Sequence, residues 1–351
     1  MHEKKILVAP LNWGLGHATR CIPIIRELQE NGFTPVLASD GEALRLLEKE
    51  FPLLERHGLP SYDITYSRSS FFFPWKLLLK TPHILRTIKA EKAATEKLVR
   101  TAGISGIISD NRWGVRSVEV PSVFITHQIK VLSGLATFFS SKIQQNYIKK
   151  FDECWVPDVA EEPSLSGRMG HTSVDFPVRY LGVLSRFEKL DLEPVYDLAL
   201  ILSGPEPQRS LLEKKLLTEL NDLKGSIIMV RGIIEKEQSM RQQNNIRIYN
   251  FMTTIELEKV INQSLYVICR PGYTSLMDLA KLEKKLFVIP TPGQFEQEYL
   301  AKRLEENHLA GSCKQKEFTV EKYLESKNYK GLLGLNGLSS FKAAFALFQS
   351  E

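Results

Sequence analysis

A histidine follows two glycines at Gly14-Leu15-Gly16-His17, where the apolar run Lys5–Ala9 ends at Pro10 and a helical pattern begins. An imidazole at a helix start sits near the positive end of the helix dipole, which disfavours its charged form by about 0.3–1 kcal/mol. A ring held neutral can take a proton, so His17 is a candidate general base. The competing reading is a histidine that caps the helix. Two more titratable groups close buried strands. Asp110 ends Gly106-Ile107-Ile108-Ser109-Asp110, and His127 follows Val123–Thr126. In a doubly wound sheet the carboxyl ends of strands face one crevice. There Asp110 and His127 are candidates for orienting His17 or holding an acceptor. For Asp110 the competing reading is a helix N-cap.

A second group of polar residues lies between Tyr266 and Ala301. The apolar run Tyr266–Cys269 stops at Arg270-Pro271-Gly272. Proline cannot donate to a ladder, and glycine permits positive φ or close backbone approach. Thr274 or Ser275 is expected to cap the helix that follows, whose apolar residues are Leu276, Leu279, Ala280 and Leu282. A helix start behind a glycine turn is an anion site. Asp278, one turn in, can accept hydrogen bonds from a ribose diol. A second buried strand, Leu286–Ile289, ends in Pro290-Thr291-Pro292-Gly293. Glu296, Gln297 and Glu298 follow and can read sugar hydroxyls. An ordinary βαβ unit with no ligand is the competing reading of this stretch, because such turns are common.

The elements that would position these groups alternate strand and helix. Cys21, Ile24, Ile25 and Leu28 repeat at helical spacing, Asn31-Gly32 ends that helix, and Thr34–Ser39 is a strand. The pattern restarts at Leu198–Leu202. Ser203-Gly204 then turns into a helix over Ser210–Leu223, Ser226–Arg231 is a strand, Ile246–Tyr249 is a short one, and a helix begins at Thr253. This alternation predicts an α/β chain. A length of 351 residues favours two domains over one. The expected boundary lies in the charged linker near Phe187, giving domains over 1–187 and 188–337, with the terminal helix of 338–351 crossing back to the first. The opening glycine turn has G-x-G without a third glycine, which argues against a dinucleotide cofactor.

Composition excludes several classes. Apolar residues make up 43% and charged residues 25%, as in an ordinary globular protein. The four cysteines stand apart with no CxxC pair, so they read as reduced thiols in a cytosolic protein. The start Met-His-Glu-Lys-Lys runs directly into a strand, so no signal peptide is expected. No uninterrupted apolar run reaches the length of a membrane span. A net charge of +5 does not by itself point to nucleic acid.

The pattern R-P-G-x-x-S-x-x-D-L-A at Arg270–Ala280, then P-x-P with E-Q-E-Y-L-A at Pro290–Ala301, resembles the donor half of family 28 glycosyltransferases. That family includes the enzyme that adds N-acetylglucosamine to lipid I. The loop G-L-G-H-A-T-R at Gly14–Arg20 is similar to the acceptor loop of the same group. The resemblance implies the GT-B fold, two Rossmann-like domains whose parallel sheets face an interdomain cleft. It implies an inverting, metal-independent transfer from a UDP-sugar, which is a co-substrate, with no cofactor. It places the diphosphate at Gly272, Thr274 and Ser275, lined also by Ser203-Gly204 and Arg231, the ribose at Asp278, and the uracil at Tyr249–Met252, including Phe251. The sugar falls to Glu296, Gln297 and Glu298, with Gln297-Glu298 where the lipid I enzyme has a Gln pair. Arg270 joins Arg231 as a donor-side cation. Gly14, Gly16 and His127 are expected to meet a carbohydrate or lipid-linked acceptor.

The aromatic and basic segment Phe71–Lys80 is expected either to form a core-facing helix with a solvated basic face or to contact an anionic membrane. The second reading would make the protein peripheral on the inner face of the membrane. No DxD pair is present for a metal-held diphosphate, and Asp191-Leu192-Glu193 lies in the linker. Glu298 and Glu306 match a retaining-enzyme spacing, but inside a helix. Two other functions use the same elements, a UDP-sugar 2-epimerase and a non-catalytic sugar-nucleotide or polysaccharide-binding protein.

Overall fold

A computed structural model describes residues 4–63, 73–233, 235–337 and 341–349, with backbone alone over 73–80. The expected membrane segment Phe71–Lys80 therefore lies outside the residues whose side chains are described. The chain divides into two compact units. One comprises the described residues up to Arg186 together with the segment from Gly337, and the other is Phe187–Asn336.

The first unit opens with β1 (Lys5–Pro10), α1 (Gly16–Glu30), β2 (Thr34–Ser39), α2 (Gly41–Glu50) and β3 (Arg56–Gly58). A long helix, α3 (Phe73–Ala102), leads to β4 (Ile104–Asp110) and β5 (Ser122–Ile125). Then come α4 (Thr137–Ile148), β6 (Glu153–Val156) and β7 (Val178–Tyr180). The strands form one parallel seven-stranded sheet in the order β3-β2-β1-β4-β5-β6-β7. Ile6, Leu7, Val8 and Ala9 are fully buried, as expected of a parallel strand covered on both faces. The C-terminal α10 segment (Phe341–Phe345) packs here, with Phe345 and Phe348 against Phe33 and Trp155. Gly106 makes room for it. A Cβ there would lie 2.4 Å from the Phe348 ring.

The second unit runs β8 (Leu198–Ile201), α5 (Gln208–Glu219), β9 (Ile227–Val230), β10 (Met240–Gln243), β11 (Ile246–Tyr249) and α6 (Thr254–Asn262). It continues through β12 (Tyr266–Cys269), α7 (Tyr273–Lys281), β13 (Lys285–Val288), α8 (Phe295–Glu306), β14 (Gly311–Ser312) and α9 (Val320–Glu325). Its sheet order is β10-β11-β9-β8-β12-β13-β14, parallel except for β10, which pairs antiparallel at the edge. Strand β10 is exposed and polar, with no apolar alternation for a sequence reading to find. The first helix of the unit, α5, ends at Glu219, short of the expected Leu223, because Leu220–Leu223 closes as a turn around Asn221-Asp222.

In each sheet the chain runs outward from a central strand and then crosses to that strand's other side. The reversal falls between β1 and β4 in the first sheet and between β8 and β12 in the second. Loops at such reversal points diverge and leave a crevice at the carboxyl ends of the strands.

Candidate functional site

The crevice of the first sheet is built on Asp110. The β1–α1 loop, in which Gly14 takes a left-handed φ of +77°, brings Gly16 to the first position of α1 and His17 to the second. Helix α1 has Leu15 as N-cap with no side-chain capping bond, so His17 does not cap it. Its ring turns instead to the end of β4, where Nδ1 lies 2.8 Å from Asp110 Oδ1. Asp110 is fully buried, while His17 keeps 15% of its side chain exposed.

Arg20 completes the cluster, and sequence reasoning missed it. Its guanidinium grips Asp110 with Nε on Oδ2 and Nη2 on Oδ1, and its Nη1 lies 3.1 Å from His127 Nδ1. The available signal was its position, three residues past His17 on a stripe otherwise made of Cys21, Ile24, Ile25 and Leu28. A guanidinium on such a stripe must find a carboxylate, because a lone buried charge is costly. Arg20 is 2% exposed. Cys21 also turns to Asp110, with Sγ 3.7 Å from Oδ2, and burial pushes its thiol well up.

Arg20 Nη2 also approaches His17 Nδ1 at 2.8 Å. Arginine can only donate, and the carboxylate is the shared acceptor of the triangle. Nδ1–H directed at Asp110 Oδ1 satisfies both donors, whereas an unprotonated Nδ1 would set two lone-pair groups face to face. That tautomer leaves the lone pair on Nε2. Burial lowers the His17 pKa, Asp110 opposes that, and the Arg20 charge adds to it. Burial alone would raise the Asp110 carboxyl, but Arg20 and His17 outweigh it and hold it far below the usual carboxylate range. Both directions favour a neutral imidazole beside an ionised carboxylate.

A second buried network braces the same edge. Arg112 bonds Glu91 of α3 and Asp40 after β2, each at 2.7 Å, and the Pro60 carbonyl at 2.6 Å. Glu91 also accepts from Tyr62 Oη at 2.5 Å and from the Gly114 amide at 3.0 Å.

In the second sheet the crevice lies between the loops after β8 and β12. Ser203 and Gly204 are exposed there, and Gly204 needs its left-handed φ of +97°. After β12 the helix starts earlier than expected. Gly272, not Thr274 or Ser275, is the N-cap of α7, with φ of −70° and no side-chain capping bond. The Pro271-Gly272 turn is extended enough to let the helix begin at once. Thr274 and Ser275 therefore sit half-buried within the first turn, alongside its unpaired-by-helix amides. Asp278 is half-buried one turn on.

Sequence reasoning also passed over Thr291, whose hydroxyl is buried and has no hydrogen-bond partner among the described residues. Its Oγ1 would be 3.7 Å from a Cβ at Gly204, so it faces the same turn. The loop that carries it is closed by the start of α8. Gln297 Oε1 accepts from Thr291 N at 2.8 Å and Glu298 Oε1 from Gly293 N at 2.9 Å. Glu296 lies half-buried in the same helix turn.

The two arginines expected on the donor side are engaged within the unit. Arg270 is 1% exposed and bonds the Ile289, Pro290 and Gln208 carbonyls and Gln315 Oε1. Arg231 meets Glu213 of α5 at 2.9 Å. Tyr249 accepts from the Arg231 amide, and Phe251 donates its N–H to Asn250 Oδ1 while its carbonyl accepts from Gln238. Among the described residues no group of His, Cys, Asp and Glu is arranged to hold a metal ion, and no helix is long and apolar enough to cross a membrane.

Residues 208–340 match the family model of the glycosyltransferase family 28 C-terminal domain. An uncharacterized glycosyltransferase of Methanopyrus kandleri is 22% identical over 319 residues, covering 86% of this chain and 90% of that protein. Among solved structures, MurG of Acinetobacter baumannii superposes with a TM-score of 0.58 at 14% identity, over 99% of each chain. A UDP-glucosyltransferase of Polygonum tinctorium gives 0.66 at 12% identity, also over 99% of each chain. SnogD of Streptomyces nogalater gives 0.62 at 13%, over 99% of this chain and 94% of that one.

Proposed function

We propose that this chain, a glycosyltransferase of the GT-B fold whose residues 208–340 form a family 28 C-terminal domain, transfers a sugar from a UDP-sugar to an acceptor hydroxyl with inversion. N-acetylglucosamine is the first sugar to test, and a lipid-linked hydroxyl the first acceptor. The observation that carries this reading is the His17–Asp110 pair, an imidazole whose Nδ1 lies 2.8 Å from a buried carboxylate. His17 Nε2 takes the acceptor's proton. The acceptor oxygen then bonds to the sugar's anomeric carbon as the bond from that carbon to the β-phosphate oxygen breaks. UDP leaves with the electron pair.

The departing diphosphate needs preorganised donors. The first-turn amides of α7, the hydroxyls of Thr274 and Ser275, the turn Ser203-Gly204 and the Thr291 hydroxyl are the set that supports this role. Arg270 enters as a brace for the loop that carries Thr291, since its nitrogens bond that loop's carbonyls. Asp278 is proposed to take the ribose diol and the segment Tyr249–Phe251 the uracil. Gln297 has its oxygen on Thr291 N, so it would meet the sugar through its amide N–H groups.

The test is UDP release from a panel of UDP-sugars, with and without lipid-linked acceptors. His17→Ala should cut turnover at least about a hundredfold and leave UDP affinity unchanged, since the base and the donor site belong to different units. Turnover within a fewfold of wild type would refute the base. Interconversion of UDP-sugar epimers without acceptor would instead favour a 2-epimerase.

A further inference from the structure

Two histidines meet one guanidinium. Arg20 is 2% exposed, and a guanidinium has N–H donors but no acceptor. Its Nε and Nη2 go to Asp110. Nη2 also lies 2.8 Å from His17 Nδ1, and Nη1 lies 3.1 Å from His127 Nδ1. The same cation thus touches the same ring atom of both histidines. At His17 that atom also faces Asp110 Oδ1 at 2.8 Å, so it carries a hydrogen and places it on the carboxylate. At His127 the facing group is a guanidinium N–H, and an Nδ1–H there would set two donors against each other. His127 Nδ1 is therefore a lone-pair atom that accepts from Arg20. A neutral imidazole has one N–H, and the bond made by one ring nitrogen decides the state of the other. His127 holds its hydrogen on Nε2, the atom on which His17 holds its lone pair.

The sheet explains why one side chain reaches all three groups. Strands β1, β4 and β5 are neighbours in that order. His17 follows β1, Asp110 ends β4 and His127 follows β5. Arg20 lies one turn into α1 from His17, so its fork centres on the middle strand and one arm passes to the far one. The Gln128 side-chain amide stands 3.4 Å from His127 Nε2. Rotation about its last bond brings Oε1 to that place, where it accepts from the Nε2–H that this tautomer requires.

We infer that Arg20 is a positioning residue that fixes opposite tautomers in the two histidines, leaving a lone pair on His17 Nε2 and an N–H on His127 Nε2. Its catalytic meaning rests on the transfer reading above. There the lone pair takes the acceptor's proton, and the N–H donates to an oxygen of the bound acceptor. Exchanging the two tautomers would put a hydrogen where the proton has to go. The tautomers themselves do not depend on that reading.

Nitrogen-15 spectra of the full chain test this, because a ring nitrogen with a hydrogen and one with a lone pair resonate far apart. The chain is labelled at its seven histidines and studied about two pH units above the ordinary histidine pKa. The two signals are assigned by their loss in His17→Gln and His127→Gln. Wild type should show the hydrogen on Nδ1 in His17 and on Nε2 in His127. Lysine supplies a charge for Asp110 but not a fork. In Arg20→Lys, His17 should keep Nδ1–H on the carboxylate while His127 moves to an average of both tautomers. The same variant should lose at least about tenfold in kcat for UDP release, with UDP affinity unchanged. A wild-type His127 with its hydrogen on Nδ1, or one tautomer shared by both rings, overturns the proposal. So does a folded Arg20→Lys with an unmoved His127 or an unchanged kcat. Should Arg20→Lys lose its melting transition, the wild-type spectrum decides alone. Absence of turnover by wild type with every UDP-sugar would count against the transfer reading and leave the tautomer result standing.

Discussion

Asp110 accepts from His17, Arg20 and Cys21, and that sets what its removal can show. Asp110→Asn takes away the carboxylate that orients the proposed base, but it also strands a buried guanidinium. The second effect should cost about 3–5 kcal/mol of stability. The two effects separate by pH. His17 has its pKa lowered by burial, so its neutral form persists below the ordinary histidine value of about 6.5, and the acid limb of kcat/KM should lie under that value. Asp110 raises the His17 pKa, so in Asp110→Asn the limb should move further to acid. Asp110 itself does not confuse this window. Its folded pKa is depressed, so its stabilising contribution is complete above the unfolded value of about 3.9 and is lost only as pH falls beneath it. A pH–rate profile of the folded variant with an unmoved limb, or one moved to alkaline pH, would remove His17 from the base role.

At the scale of elements, what holds the His17 loop's edge of the sheet is a polar brace. The buried stripe of α3 is Thr87, Glu91, Thr95 and Val99, spaced four apart and mostly polar. Glu91 faces Arg112 at the end of β4, and Arg112 reaches Asp40 after β2 and the Pro10 carbonyl at the end of β1. One side chain thus ties three strand ends to a helix. Arg112→Ala should leave Glu91 without its charge partner and destabilise the fold by about 3–5 kcal/mol. Arg112→Lys should recover only part of this, because a single ammonium cannot match the fork that serves Glu91, Asp40 and Pro60 together. Urea unfolding would measure both. A loss under about 1 kcal/mol for Arg112→Ala would show that the loops are held by other contacts.

For the whole molecule, the same plan occurs twice, with a candidate site at the reversal of strand order in each sheet. The two sites differ in how they handle charge. The first buries an arginine with an aspartate, and the second offers amides and hydroxyls while Arg270 bonds backbone carbonyls and Arg231 meets Glu213. In the proposed reaction the leaving diphosphate is met by fixed neutral donors and a helix start. Turnover should therefore survive excess EDTA in the UDP-release assay. Full loss that magnesium or manganese restores would mean that the diphosphate is held through a metal.

The sequence by itself determined the alternation of elements and the residues at strand ends. Local rules suffice for that, since apolar runs make strands, glycine and proline end them, and helical spacing follows. His17, Asp110, Gly204 and Gly272 were legible because each stands at such a junction. The tertiary structure decided which junctions meet. Asp110 neighbours His17 because β4 lies beside β1, a pairing across some hundred residues that no local pattern carries. Arg20 was hidden for the same reason, its partner being on another strand. The contacts of Arg270, expected as a donor-side cation, were likewise beyond local reading, because the carbonyls it bonds belong to the loop after another strand. The face of α4 was also beyond local reading. Its mixed pattern fits either rotation, and the hydrogen bonds of Ser141 and Gln144 to distant backbone and indole chose the one that leaves its phenylalanines in water.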